Sequence, residues 1–247
     1  MPRFFVEVAY KGNRYSGFQI QENSNSVQAE VEKAMSIFFR RPVSLTGSSR
    51  TDTAVHALQN FFHGDWEEII PDEAIYHINA ILPDDIAIRN LFPVAPDAHC
   101  RFDASWREYQ YKVYPKKDPF LRDRAFYFPY PVDRDRLVEA ADMVMRYQDF
   151  SSFSKRNTQA KTSICTILES CWNWEDSSYE YSVRANRFLR GMVRGLVGTM
   201  LQAGRGKISI REFADIIEGG DNTRVDFSVP GHGLYLVRVN YPDGLIK

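Results

Sequence analysis

Arg3-Phe4-Phe5-Val6-Glu7-Val8-Ala9-Tyr10, punctuated by Lys11-Gly12-Asn13 and followed by the segment Val27 to Phe39, sets the architecture of the chain. The octapeptide alternates large apolar residues with others, which predicts a strand, and the Lys-Gly-Asn step predicts the turn that ends it. Val27, Val31, Ala34, Met35 and Phe38 recur at helical spacing, so the next element is an amphipathic helix that Asn25 or Ser26 can cap. Working outward, strands are expected near Val43 to Leu45 and Leu58 to His63, separated by the polar loop Thr46 to His56. A short helix opened by Pro71 and ending near Ile81 comes next, then a strand from Ile86 to Val94. The second half repeats the order: strand Tyr109 to Tyr114, helix Asp133 to Arg146, strands near Ile164 to Trp174 and Tyr179 to Arg184, helix Arg187 to Leu201, and a closing strand Leu234 to Val239. Ser209-Ile210-Arg211-Glu212 is a capping box that starts one further helix. Strand, helix, strand, strand, helix, strand is the order of a split βαβ unit. The expected class is therefore α+β, with two ferredoxin-like lobes sharing a largely antiparallel central sheet and a cleft between them. Residues 1–104 form the expected N-terminal lobe carrying the polar loop, and residues 105–247 the C-terminal lobe with a basic helix.

A chain of 247 residues, 44% hydrophobic and 26% charged, can bury a core without disulfides or metal. Cys100, Cys165 and Cys171 leave one thiol over under any pairing and show no CxxC spacing, so reduced structural cysteines are expected rather than a disulfide framework or zinc. The charged N-terminus and the lack of a long apolar run point to a cytoplasmic protein with no membrane partner. Aromatic residues make up 14%, which suits stacking of unpaired bases as well as a core. The formal net charge of -1 argues against a protein that coats nucleic acid, yet Arg184, Arg187, Arg190, Arg194, Arg205, Lys207 and Arg211 follow one another without an acidic residue from 184 to 211. One face can thus be basic on a neutral protein.

The loop Gly47-Ser48-Ser49-Arg50-Thr51-Asp52-Thr53-Ala54-Val55-His56-Ala57 is small and polar between two apolar strands, a setting that can project a carboxylate. Taken alone, Arg50-Thr51-Asp52 reads sooner as a turn capped by Asp52 with Arg50 paired to it on the surface. Asp52 and His56 are four apart, which leaves a metal reading open, but no third ligand is near in sequence, and no Gly-x-Ser-x-Gly supports a serine hydrolase.

The surrounding chain resembles the tRNA pseudouridine synthase A family over nearly its whole length. The carriers are Tyr10-Lys11-Gly12 with Gly17-Phe18-Gln19-Ile20-Gln21 and Ser26-Val27-Gln28, and the loop with Arg50, Thr51, Asp52, Val55 and His56. Beyond it come Leu82-Pro83-Asp84-Asp85-Ile86, His99-Cys100-Arg101-Phe102, Arg107-Glu108-Tyr109-Gln110-Tyr111, Asp149-Phe150-Ser151-Ser152-Phe153, Phe188 to Arg194 with Gly198-Thr199, and Gly233-Leu234-Tyr235-Leu236. The resemblance implies a cofactor-independent and metal-independent isomerase that converts uridine to pseudouridine at positions 38–40 of the tRNA anticodon stem-loop, working as a homodimer. It implies that Asp52 is the catalytic carboxylate, acting as nucleophile, that Arg50 is its ion-pair partner, and that Tyr109 lies against the target base. Thr51, His56 and Arg194 are implied on the substrate side, with Arg187 and Arg190 as further RNA contacts. These roles make physical sense. The reaction breaks the bond from C1′ to N1, turns the uracil and rejoins it through C5, so a positioned carboxylate suffices, and a neighbouring cation opposes the rise in pKa that a dry pocket imposes. Attack at C1′, attack at C6 and a glycal route all use the same aspartate. A tyrosine ring offers a stacking surface for a base out of its helix.

On the expected helix, Arg187, Arg190 and Arg194 share one side with Gly191, Gly195 and Gly198. Glycine costs a helix about 1 kcal/mol relative to alanine, so something must approach that face closely, either packed chain or an RNA backbone. Lys155, Arg156 and Lys161 add positive charge after Phe153. Three positions depart from the family pattern: Ser49 and Ala54 stand where glycine is usual, and Cys165 where arginine is common. A positive φ at position 54 would cost alanine roughly 1 to 2 kcal/mol. The competing readings are an RNA-binding protein of the same fold with weak or lost catalysis, and a metal-dependent hydrolase built on Asp52, His56 and His63 or His99.

Overall fold

The computed structural model describes residues 1–66, 70–71, 73–155, 162–175 and 178–246. It divides into two compact units, one formed by Met1–Ser105 with Tyr235–Lys247, the other by Trp106–Leu234. The sequence reading placed all of 105–247 in the second lobe; the C-terminal strand instead counts with the first. Both units are mixed α+β with largely antiparallel strands.

In the first unit β1 (Arg3–Tyr10) and α1 (Val27–Phe39) fall where alternation and helical spacing put them. Ser26 caps α1, its hydroxyl accepting from the Ala29 amide at 3.2 Å, and Val27, Val31, Ala34 and Met35 form the buried face. The strand expected at Val43 to Leu45 is absent, and a two-residue strand, β2 (Thr46–Gly47), follows it. The reason lies in α1. Glu32 accepts from the Leu45 amide at 2.8 Å, Gln28 donates to the Leu45 carbonyl at 2.8 Å, and Ser36 accepts from the Val43 amide at 2.9 Å, so helix side chains satisfy the backbone that a ladder would have used. Next come β3 (His56–Asp65), α2 (Ala74–Ile81) and β4 (Ile86–Val94), with α2 hooked to β4 through both ends of the Asn79 amide, at 2.8 and 2.9 Å from Ile88. β1 lies between β4 and β3 and is antiparallel to both, and β2 pairs with β3.

The second unit contains β5 (Trp106–Tyr114), β6 (Phe126–Tyr127), α3 (Arg134–Val144), β7 (Ile167–Trp174), β8 (Tyr179–Ala185), α4 (Met192–Gly204) and α5 (Ile210–Glu218). β8 is antiparallel to β5 on one side and β7 on the other, while the short β6 runs parallel to β5. The Ser209 capping box is present in full. The last strand, β9 (Leu234–Asn240), runs parallel to β3 in the first unit, His56 opposite Tyr235 and Ala57 opposite Leu236.

A second expected element is corrected. The basic helix starts at Met192, five residues later than read from sequence, because Gly191 takes φ +76° and breaks the helical path. Arg187 and Arg190 therefore lie in the lead-in segment and do not share a helical face with Arg194.

Candidate active site

Ser48 to Val55 bridge β2 and β3, and the segment that follows β1 holds them in place. The Phe18 amide donates to the Thr51 carbonyl at 3.1 Å, the Ala54 amide to the Tyr15 carbonyl at 3.4 Å, and the Gly12 amide to Nδ1 of His56 at 3.1 Å. A Cβ on Gly12 would come 2.0 Å from the Val55 carbonyl oxygen, so only glycine lets these two stretches meet. Thr51 is buried, Asp52 half-buried, and Arg50 and Thr53 exposed. The loop closes through backbone, the Val55 amide donating to the Asp52 carbonyl at 3.2 Å.

Ala54 sits in the left-handed region at φ +63°, the conformation for which glycine would be the unstrained choice. Ala54→Gly relieves this strain, worth roughly 1 to 2 kcal/mol, against roughly 0.5 to 1 kcal/mol lost to the greater freedom of the unfolded chain, so it is expected to stabilise the protein by a net of roughly 0.5 to 1 kcal/mol. Chemical denaturation at neutral pH checks the sign; a lower midpoint refutes the strain.

His56 faces inward rather than toward solvent. It is 1% exposed, and its ring stacks on Tyr235 with centroids 4.6 Å apart. Because Nδ1 accepts from Gly12, the neutral ring carries its proton on Nε2. Sequence reasoning passed over Asn60, a fully buried amide on β3 that reaches the Ser49 carbonyl at 2.9 Å and the Tyr10 phenol at 3.2 Å. The visible signal was an Asn directly before Phe61-Phe62 in the strand.

In the second unit Tyr109 points to the buried face of β5 with Arg107, Tyr111 and Val113. The Phe188 ring meets it edge to face at 5.0 Å, fixing the orientation of the tyrosine ring. Arg194 donates through Nε to the Val229 carbonyl at 2.8 Å and through Nη2 to the Phe227 carbonyl at 3.3 Å, contacts that fix its guanidinium. Arg187 lies close enough to Cys165 for its charge to oppose the burial that pushes that thiol up to about 11. Arg190 is exposed, and its carbonyl accepts from the Lys155 amide at 3.1 Å. Lys155 itself lies over the Phe227 ring at 5.7 Å; Arg156 and Lys161 fall outside the described residues. The glycine face of α4 is packed against chain. A Cβ on Gly195 would meet Phe227 and Val225 at 2.8 and 2.9 Å, and one on Gly198 would come 2.1 Å from the Asp226 carbonyl oxygen. Packed chain, not RNA, explains these glycines.

Among the described residues, the group with metal-ligand chemistry is His63, His99 and Cys100, whose candidate atoms lie within 4.8 Å of one another; it includes neither Asp52 nor His56. Its hydrogen bonding does not suit a cation. His99 Nδ1 accepts from the Arg101 amide at 3.2 Å, the Cys100 amide approaches His63 Nδ1 at 3.4 Å, and the Cys100 thiol donates to the Thr46 carbonyl at 3.2 Å. An imidazole accepting at Nδ1 carries hydrogen on the other nitrogen, which then offers no lone pair.

Burial, reinforced by His99 and Arg3, lowers His63 to about 4. A histidine held neutral in the fold binds fewer protons than the unfolded chain below its ordinary value near 6.5, so stability is full above that pH. It falls as the pH drops toward 4, with a limiting slope of about 1.4 kcal/mol per pH unit from this residue. His99 and His232, also lowered by burial, act in the same sense. Denaturation midpoints for wild type and His63→Gln between pH 7 and 4 check this; an equally steep fall in the variant refutes it.

The profile of a family described as tRNA pseudouridine synthase matches residues 147–242, which contain Phe188, Arg194 and the packed glycine face. Proteins named tRNA pseudouridine synthase A are similar over the full length: 43% identity with that of Parabacteroides distasonis, covering 99% of this chain and 98% of the relative, and 45% with that of Porphyromonas gingivalis, covering 99% of each. That of Staphylococcus aureus is 36% identical over 96% of this chain and 91% of its own. The chain belongs to the tRNA pseudouridine synthase A family.

Proposed function

We propose that this chain is an isomerase that converts uridine to pseudouridine in tRNA, at positions 38–40 of the anticodon stem-loop, without cofactor or metal. The observation that carries the reading is full-length similarity to proteins of that name, with Arg50-Thr51-Asp52 standing on a loop pinned by the segment after β1. Asp52 is the nucleophile, Arg50 its ion-pair partner, and Tyr109, its ring set by Phe188, the surface on which the uracil stacks. Arg194, Arg187 and Arg190 supply positive charge to the RNA backbone. Thr51 and His56 serve the substrate through the shape of the loop. The two units are ferredoxin-like lobes, one carrying the catalytic loop and the other the basic helix, and the protein is a cytoplasmic homodimer. Among the described residues no helix is long and apolar enough to cross a membrane.

The test is tritium release from tRNA labelled at uridine C5. Rejoining the sugar at C5 expels that hydrogen to water, so each turnover releases one label. Release without added metal supports the reading. Binding of tRNA without release favours instead an RNA-binding protein of the same fold that has lost catalysis.

A further inference from the structure

A buried hydrogen-bond chain grips the loop on the N-terminal side of Asp52, and the geometry orients its Asn60 end. Asn60 Oδ1 accepts from the Phe61 amide at 2.9 Å, which fixes how the amide is turned. Nδ2 then gives its two hydrogens to the Ser49 carbonyl at 2.9 Å and to the Tyr10 phenol oxygen at 3.2 Å. The Tyr10 oxygen lies 2.8 Å from Thr51 Oγ1. Either hydroxyl can be the donor in that contact, which in both cases ties Thr51 to Tyr10 and through it to Asn60. Asn60 is 0% and Tyr10 5% exposed, so water does not compete for these bonds.

We propose that Tyr10 and Asn60 are positioning residues for the isomerisation: through the Ser49 carbonyl and the Thr51 hydroxyl they set the register of the loop that presents Asp52. This rests on Asp52 being the catalytic carboxylate. A merely structural network would lower the melting temperature and leave the turnover of folded protein unchanged. A positioning network acts on kcat, because a small displacement of a reacting group slows chemistry more than it weakens binding of a large RNA.

The experiment measures tritium release from C5-labelled tRNA by wild type, Tyr10→Phe, Thr51→Val, Thr51→Ser and the double variant Tyr10→Phe/Thr51→Val, each well below its own melting temperature. Tyr10→Phe and Thr51→Val are each expected to lower kcat by about tenfold or more with KM for tRNA within about twofold. Thr51→Ser, which restores the hydroxyl, should recover most of the loss. The double variant should be no slower than the slower single one, since both break the same chain. Unchanged kcat in the single variants, or a double variant as slow as the product of the two, overturns the proposal. If Tyr10→Phe does not fold, the Thr51→Val and Thr51→Ser pair decides. Wild-type protein that releases no tritium overturns the reaction itself, an outcome separate from unequal behaviour of the variants.

Discussion

Asp52→Asn is expected to bind tRNA, to melt like wild type and to release no measurable tritium from C5-labelled tRNA, a loss of at least about a thousandfold in turnover. Asparagine keeps the shape of the side chain and removes the charge that the chemistry needs. The loop does not depend on that charge for its backbone course, since it closes through the Asp52 carbonyl to the Val55 amide at 3.2 Å and is held to the preceding segment through Thr51 and Ala54. If Asp52 only capped a turn with Arg50 paired to it on the surface, the same substitution would cost at most about 1 kcal/mol of stability and leave turnover intact. The two readings differ by orders of magnitude in one assay. Tritium counts, a thermal melt and filter binding of labelled tRNA check the three parts, and turnover by Asp52→Asn within tenfold of wild type refutes the role.

Much of this was legible before any coordinates, because the signals were local. The alternation in Arg3 to Tyr10, the spacing in Val27 to Phe39 and the Ser209 capping box each fix an element within one stretch of chain, and each is present with its bounds nearly as read. Asp52 could be singled out only through the pattern around it, and the fold supplies a reason for that pattern. Gly12, Tyr15 and Phe18, distant from the loop in sequence, are among the residues whose backbones touch it. The possibility of a positive φ at Ala54 was likewise readable from the residue missing there, and the backbone takes it.

Misreadings arose where a distant partner decided. Val43 to Leu45 has strand-like residues, but Gln28, Glu32 and Ser36 reach it from α1 and occupy its backbone groups. Apolar and basic periodicity ran smoothly from Arg187 into α4, but periodicity says nothing of the left-handed turn at Gly191 that separates them. Asn60 gives no sign in sequence of what it holds, because its partners, Tyr10 and Ser49, come from two other segments.

Gly198→Ala carries the other large effect and decides what the glycine face of α4 is for. On an open face, alanine in place of a helical glycine would stabilise by about 1 kcal/mol. Here the added methyl would stand 2.1 Å from the Asp226 carbonyl oxygen and 3.1 Å from its carbon, backbone atoms that cannot swing aside like a side-chain tip. Asp226 is tied to the same helix, its amide donating to Thr199 Oγ1 at 3.1 Å and its carboxylate accepting from Gln202 at 2.8 Å. Relief of the clash pulls on both bonds, and on the Phe227 and Val229 carbonyls that hold Arg194. Overpacking of this kind is expected to cost about 3 kcal/mol, outweighing the propensity gain and lowering the melting temperature by roughly 5 to 10 °C. Turnover should fall as well, since Arg194 loses its anchors. A thermal melt of the free protein separates the two explanations by sign: a higher melting temperature with weaker tRNA binding would mean that the face is open to RNA, whereas a lower one in the absence of RNA means that chain alone fills it.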